Sequence, residues 1–266
     1  MHLFPEHGLF HLNDACIDVW SVSVEPSSNV IPELETVLSA AERERAARFI
    51  FDRDRNVWIA ARGALRMLLG LYLDVHPASI DFVYSEKGKP SLPNSNINFN
   101  VSHTRGVILL AFTEGCELGV DIELIRPLPD MMQIANLNFC RDEAQELAGL
   151  SEEARQPAFF RCWTRKESYV KATGNGLSTP LGEFRVSFRE GESVRFLQIG
   201  KDPLTASQWA LHDLDISPAY AAAIAYRDVP RQIKQSPLLR PEEFIQALKL
   251  GESTNSALRN KAQETN

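Results

Sequence analysis

A chain of 266 residues, 44% hydrophobic and 24% charged, can bury a proper core and has an ordinary globular composition. Its formal net charge of -7 excludes a general nucleic-acid binder, which needs a cationic excess to displace counterions, but not a local basic pocket. Cys16, Cys116, Cys140 and Cys162 form no CxxC pair and no Cys/His cluster, a pattern of reduced thiols rather than of zinc or a disulfide framework.

The N-terminal stretch lacks a basic start followed by an apolar run, so no secretory signal is read. Apolar runs such as Val107–Phe112 and Ala219–Tyr226 are too short to span a bilayer. These features together predict a cytoplasmic protein with neither a membrane nor a nucleic-acid partner.

Ile17–Val24 alternates as a strand, and Pro32–Phe51 carries a helical pattern with Ser39 as N-cap and Glu42 as its capping-box partner. After DRDR, the run NVWIAARGALRMLLGLYL has helical spacing and core length. Ser79–Tyr84, Ile97–Ser102, Val107–Thr113 and Glu117–Ile122 read as short strands between Gly, Pro and Asn turns. The second half repeats the rhythm: CRDEAQELAGL and RQPAFFRCWTRKESYVKAT as helices, then Phe184–Phe188, Val194–Ile199, Gln208–Leu214 and Tyr220–Ala225 as strands.

That repetition predicts an α+β fold of two similar halves, residues 1–116 and 117–230. Residues 231–266 are expected to add a helix (PEEFIQALKL) and a loose polar tail.

Three stretches carry chemistry. In GVDIELI, Asp121 and Glu123 are two apart, so a strand puts both carboxylates on one face and Val120, Ile122 and Leu124 on the other. Adjacent carboxylates repel unless a cation intervenes, and hard oxygen ligands suit Mg²⁺ or Mn²⁺; a wet strand face is the commoner meaning of DxE. In WTRKESYVKATGNGL, Glu167 and Lys171 lie at i,i+4, the spacing of an ordinary surface ion pair.

A carboxylate flanked by Lys166 and Lys171 on a partly buried helix also suits a metal ligand among phosphate-binding ammonium groups. Gly174 and Gly176 either end that helix or admit substrate. In KGKPSL the Gly88 turn presents Lys87 and Lys89, and NFNVSH ends a strand on Ser102 and His103. Arg62 and Arg66, an i,i+4 pair, ordinarily mark a solvated stripe. Together Arg62, Lys87, Lys89, His103 and Lys171 could line one pocket for a polyanion.

In this order the motifs GKP (Gly88–Pro90), FNVSH (Phe99–His103), GVDIE (Gly119–Glu123) and the stretch Trp163–Leu177 resemble those of the Sfp-type 4′-phosphopantetheinyl transferases, over about residues 15–228. The resemblance implies two α+β halves related by pseudo-twofold symmetry, with coenzyme A in the cleft between them and a monomer as the working unit. It also implies transfer of the phosphopantetheine arm of coenzyme A to a serine of an apo acyl or peptidyl carrier protein, releasing 3′,5′-ADP.

Carried over by motif, Asp121, Glu123 and Glu167 would hold Mg²⁺ (or Mn²⁺), Glu167 would accept the serine proton, and Lys171 with Lys166 would stabilise charge on the pyrophosphate. Asn100, Ser102 and His103 would approach the 3′-phosphate end with Arg62 and the turn Lys87–Gly88–Lys89. Some relatives carry lysine where Glu42 stands, which leaves Arg45 and Arg48 as the basic groups of that helix. The carrier would dock near Met131, Met132, Ile134 and Leu137, most of which also read as core. Two further readings use the same residues: a binding module for coenzyme A or carrier without catalysis, and a Mg²⁺-dependent phosphodiesterase.

Overall fold

A computed structural model of the chain describes Phe10, residues 12–24 and residues 29–264. The first nine residues of the predicted N-terminal half and the last two of the tail lie outside that set. None of the described helices is long and apolar enough to cross a membrane.

Strand β1 (Cys16–Ser23) leads into α1 (Ile31–Thr36), α2 (Ala40–Ala47) and α3 (Asp52–Leu73). The short hairpin β2 (Val83–Tyr84) and β3 (Pro90–Ser91) follows, then β4 (Ile97–Thr104) and β5 (Val107–Glu114). The order then recurs. Strand β6 (Leu118–Leu124) leads into α4 (Met131–Asn138), α5 (Arg141–Ala148) and α6 (Glu152–Thr173). A second hairpin, β7 (Phe184–Val186) and β8 (Phe196–Ile199), is followed by α7 (Pro203–Ala206), β9 (Ala210–Asp213) and β10 (Tyr220–Tyr226).

The third helix of each set is 22 residues long, and the strand orders β1-β5-β4 and β6-β10-β9 correspond position for position. The fold is therefore α+β, two like halves with internal pseudo-twofold symmetry. Each sheet packs one face on its own long helix: Trp20, Phe99 and Phe112 against α3, and Leu211, Ala221 and Ala225 against α6, whose Tyr169 also meets Phe184 and Phe196 of the second hairpin. A third core joins the halves, with Ile17, Val19 and Leu109 meeting Val120, Ile122 and Ile224.

Two expectations change. Pro32–Phe51 is two helices, because Ser39 is extended (ψ 164°) and its capping box with Glu42 starts a new one. Beyond residue 230 the chain returns to the first half. Strand β11 (Gln232–Leu239) pairs in parallel with β1, and α8 (Pro241–Glu264) buries Phe244, Ile245 and Leu248 in the first core. Helix thus continues where the polar composition predicted a loose tail. β11 lies at the edge of its sheet, the position where a strand tolerates Pro237.

The seam between β4 and β6 positions the site. The side chains of Asn100, Ser102 and Thr104 accept hydrogen bonds from the backbone N–H groups of Val120 (2.9 Å), Ile122 (3.4 Å) and Leu124 (3.4 Å). Residues two apart on β4 face one way, so alternate polar side chains knit two strand edges that are a side chain's length apart. The next sheet-face neighbour of that seam is the carboxylate face of β6.

Candidate active site

On β6, Leu118, Val120 and Ile122 enter the core between the halves, so Gly119, Asp121 and Glu123 face the other way, toward α6. Gly119 is required there. A Cβ on it would lie 2.2 Å from the Ser168 carbonyl oxygen and 2.3 Å from the Ala172 nitrogen, both α6 backbone. The glycine therefore lets the helix rest on the strand. It brings Lys171 against Asp121: Lys171 Nζ lies 2.6 Å from Asp121 Oδ1 and donates to Ser102 Oγ at 2.9 Å, and Ser102 Oγ donates to Asp121 Oδ1 at 3.1 Å.

The ion pair of Lys171 is thus with Asp121, and none joins it to Glu167 among the described residues.

Asp121 Oδ2 is buried with no hydrogen-bond partner among the described residues, which is unusual for a carboxylate oxygen. Burial raises the pKa of Glu123, and the neighbouring Asp121 charge raises it further. Burial and then Asp121 likewise raise that of Glu167, while Lys171 opposes the shift. Three carboxylates that repel one another around an orphaned oxygen are a donor set suited to a hard cation. No three His, Cys, Asp or Glu side chains form a ready cluster among the described residues, and the ammonium of Lys171 pairs with Asp121 Oδ1.

Beside this group lies a cavity of about 450 Å³. Lys87 and Asn100 of the first half and Trp163, Glu167, Lys171 and Gly176 of the second line it, so it sits across the two halves. Gly174 caps α6 in the left-handed region (φ 70°), its N–H bonded to Val170 O at 3.2 Å, and also lines the cavity. It both ends the helix and opens the cleft. Gly88 (φ 83°) closes the turn that carries Lys87.

Several predicted contacts fall elsewhere. Lys166 is fully buried, 2.7 Å from Glu143 Oε2, and donates to Leu181 O (2.8 Å) and Phe184 O (2.5 Å). One residue along a helix turns the side chain by about 100°, so Lys166 faces the second core while Glu167 faces the cleft. Lys89 spends its ammonium on the carbonyls of Leu118 (3.2 Å), Lys171 (2.7 Å) and Ala172 (2.8 Å), and burial lowers its pKa to about 8. Three carbonyls use all three donors, leaving none for a phosphate.

Arg62 is held by Glu42 (2.5 Å) and Tyr84 (2.5 Å) and stacks over Phe82 at 4.0 Å. Arg66 also pairs with Glu42, at 2.6 Å, and is buried rather than on a solvated stripe. Burial would raise the pKa of Glu42, but Arg66, the Ser39 N–H and Arg62 outweigh it and the net shift is down. Glu42 is thus the hub of a structural cluster, and Arg62 is committed to it.

Ser102 is buried between Asp121 and Lys171. His103, the next residue on the strand, turns to the opposite side, where it lines a separate cavity of about 740 Å³ with Arg53, Trp58 and Arg105. Partial desolvation and then the Lys171 charge lower the pKa of its imidazole. Arg45 lies over the ring of Trp58 at 5.5 Å, whereas Arg48 pairs with Glu44 in solvent. Sequence reasoning missed Thr104, which donates to Glu123 Oε2 at 3.4 Å, although the alternation Asn100, Ser102, Thr104 contained it.

The chain has recognisable relatives. Residues 117–225 match the model of the 4′-phosphopantetheinyl transferase superfamily, and residues 23–114 match that of the 4′-phosphopantetheinyl transferase N-terminal region. The 4′-phosphopantetheinyl transferase HetI of Nostoc sp. is 35% identical over 213 residues, covering 79% of this chain and 86% of HetI.

The chain belongs to the 4′-phosphopantetheinyl transferase superfamily.

The transferase is also similar to Sfp of Bacillus subtilis, 27% identical over 74% of this chain and 86% of Sfp. The human L-aminoadipate-semialdehyde dehydrogenase-phosphopantetheinyl transferase is 29% identical over 75% of this chain and 72% of its own length. The two family matches divide this transferase between Glu114 and Glu117, the link between β5 and β6 at which the topology begins its repeat.

Proposed function

We propose that this transferase moves the 4′-phosphopantetheine arm of coenzyme A onto a serine hydroxyl of an apo acyl or peptidyl carrier protein. The observation that carries the reading is the group Asp121, Glu123, Glu167 and Lys171, set by the β6–α6 contact at the mouth of a cavity shared by both halves. Glu167, on the cleft side of α6, accepts the serine proton as the serine oxygen bonds to the β-phosphorus. The bond from that phosphorus to the bridging oxygen breaks, and 3′,5′-ADP leaves. Lys171 and the exposed Lys87 offset the charge on the pyrophosphate.

A divalent cation, Mg²⁺ or Mn²⁺, held by Asp121, Glu123 and Glu167 would neutralise the negative charge that carboxylates and pyrophosphate bring together. The orphaned Asp121 Oδ2 supports that placement. The test is mass spectrometry of an apo carrier incubated with coenzyme A and the enzyme. A gain of one phosphopantetheine group, abolished by EDTA and restored by Mg²⁺, is expected. Release of 3′,5′-ADP at the same rate when the carrier serine is replaced by alanine would instead establish a phosphodiesterase.

His103 belongs to the 3′-phosphate end in this reading, through the cavity it shares with Arg53 and Arg105 rather than through Arg62. His103→Ala is expected to raise the KM for coenzyme A by about tenfold with kcat nearly unchanged, as loss of uniform binding does. An unchanged KM would remove the residue from the site.

The carrier docks on α4. Met131, Met132 and Ile134 pack against the second core, as most of that stretch was expected to, but Leu137 is 83% exposed and its neighbour Asn138 lines the cavity. Leu137→Asp is expected to raise the KM for an apo carrier by about tenfold and leave that for coenzyme A unchanged. The reading divides the chain into 1–116, 117–230 and 231–266. One chain supplies the whole cleft, which supports a monomer as the working unit, tested by light scattering; a cytoplasmic location, with which its free cysteines agree, is tested by cell fractionation.

A further inference from the structure

We infer that Lys89 is a positioning residue that fixes the end of α6, and with it Lys171, across the two halves of the cleft. The inference rests on the transferase reading above. The last turn of a helix leaves carbonyl groups without intrahelical donors, and these carry the negative end of the helix dipole. In α6 two of them, on Lys171 and Ala172, receive the Lys89 ammonium at 2.7 and 2.8 Å. The third bond of that ammonium, 3.2 Å to Leu118 O, reaches the first residue of β6.

One side chain from the first half therefore joins the end of the helix bearing Glu167 and Lys171 to the start of the strand bearing Asp121 and Glu123. The carbonyl of Lys171 itself is among the three, so the backbone from which its side chain reaches Asp121 is held at that point.

The surroundings match this role. Gly174 ends α6 with φ 70°, and a Cβ there would lie 3.3 Å from Lys89 Cδ, so the glycine leaves room for the lysine stem. The turn supplying Lys89 is closed on itself: Gly88 N–H donates to Ser85 O at 2.9 Å, Ser85 N–H to Lys89 O at 3.0 Å, and Lys89 N–H to Ser85 Oγ at 3.1 Å. It is thus a rigid mount. Lys87 rides on the same turn and lines the cavity, so anchoring Lys89 also sets where Lys87 can stand.

Steady-state kinetics of the full chain with coenzyme A and an apo carrier test this. Lys89→Met, which keeps the stem and removes the ammonium, is expected to lower kcat at least about tenfold while the KM for coenzyme A changes less than about threefold. Lys89→Arg retains donors for the helix end and is expected to recover most of the lost kcat. A lysine that touched phosphate would show the reverse split, a raised KM with kcat kept, and that result overturns the inference.

So does parental kcat in folded Lys89→Met. If Lys89→Met does not fold, Lys89→Arg decides alone: kcat and KM for coenzyme A both close to the parent support positioning, and a raised KM with parental kcat refutes it. An inactive parent would count against the transferase reading instead, since the comparison between variants needs an active one.

Discussion

Glu167→Gln is expected to lower kcat for carrier modification by about 10³-fold or more, while coenzyme A binding by calorimetry weakens less than tenfold. The amide has the shape of the carboxylate but cannot accept the serine proton, and it removes one of three negative oxygen donors. Because Lys171 is paired with Asp121 rather than with Glu167, the substitution leaves that ion pair in place. The loss is therefore of chemistry and not of the cleft. Turnover within tenfold of the parent would remove Glu167 as the base.

The same variant makes a second, cation-free prediction. Glu123 and Glu167 have pKa values above 4.5 in the folded chain, raised by burial first and by Asp121 next. A carboxyl whose folded pKa exceeds its unfolded value makes the native state bind more protons, so its charged form costs stability at neutral pH and the cost disappears as pH falls. In EDTA, Glu167→Gln is expected to melt above the parent at neutral pH. The gap narrows as pH falls through the raised pKa and closes below 4.5. A variant that melts below the parent in EDTA would mean the carboxylates do not repel as placed.

What the sequence revealed about this site follows a physical line. Features set within one element were legible: the Ser39–Glu42 capping box, the common face of Asp121 and Glu123, and the i,i+4 relation of Glu167 and Lys171. Sequence neighbours that diverge in space were not. Lys166 and Glu167 differ by one helical step and face a buried core and an open cleft. Ser102 and His103 differ by one strand step and face the carboxylates and a different cavity. A motif read as a string assigns both members of each pair to one ligand, whereas helix and strand periodicity separates them.

Lys89 is the complementary case: its partners are backbone carbonyls of distant elements, which no residue identity encodes. Strand β11 escaped for a third reason, since Pro237 argues against a strand everywhere except at the sheet edge where this one lies. The glycine of GVDIE belongs to the same class as Lys89. Its necessity is a property of the helix above it.

Gly119→Ala tests that necessity. The added Cβ would meet two backbone atoms at 2.2 and 2.3 Å and the Lys171 carbonyl carbon at 2.8 Å, and backbone, unlike a side-chain tip, has no other rotamer to adopt. Either α6 lifts off β6 or β6 shifts within its sheet, where it pairs with β10 along its whole length. Such overpacking is expected to cost about 3 kcal/mol in urea unfolding. Lifting the helix also draws Lys171 away from Asp121, and a displacement of about 1 Å at a reacting centre is enough to cost about 10²-fold in kcat.

The folded fraction of Gly119→Ala is therefore expected to be both less stable and slower, with the deficit in kcat persisting at temperatures where the variant is fully folded. Gly115→Ala supplies the contrast: a Cβ there meets nothing within 4 Å, and its φ of 74° strains only the local turn. It should lose stability through that strain and keep its kcat. If Gly119→Ala instead retains the parental kcat once folded, the contact between β6 and α6 does not set the geometry of the site.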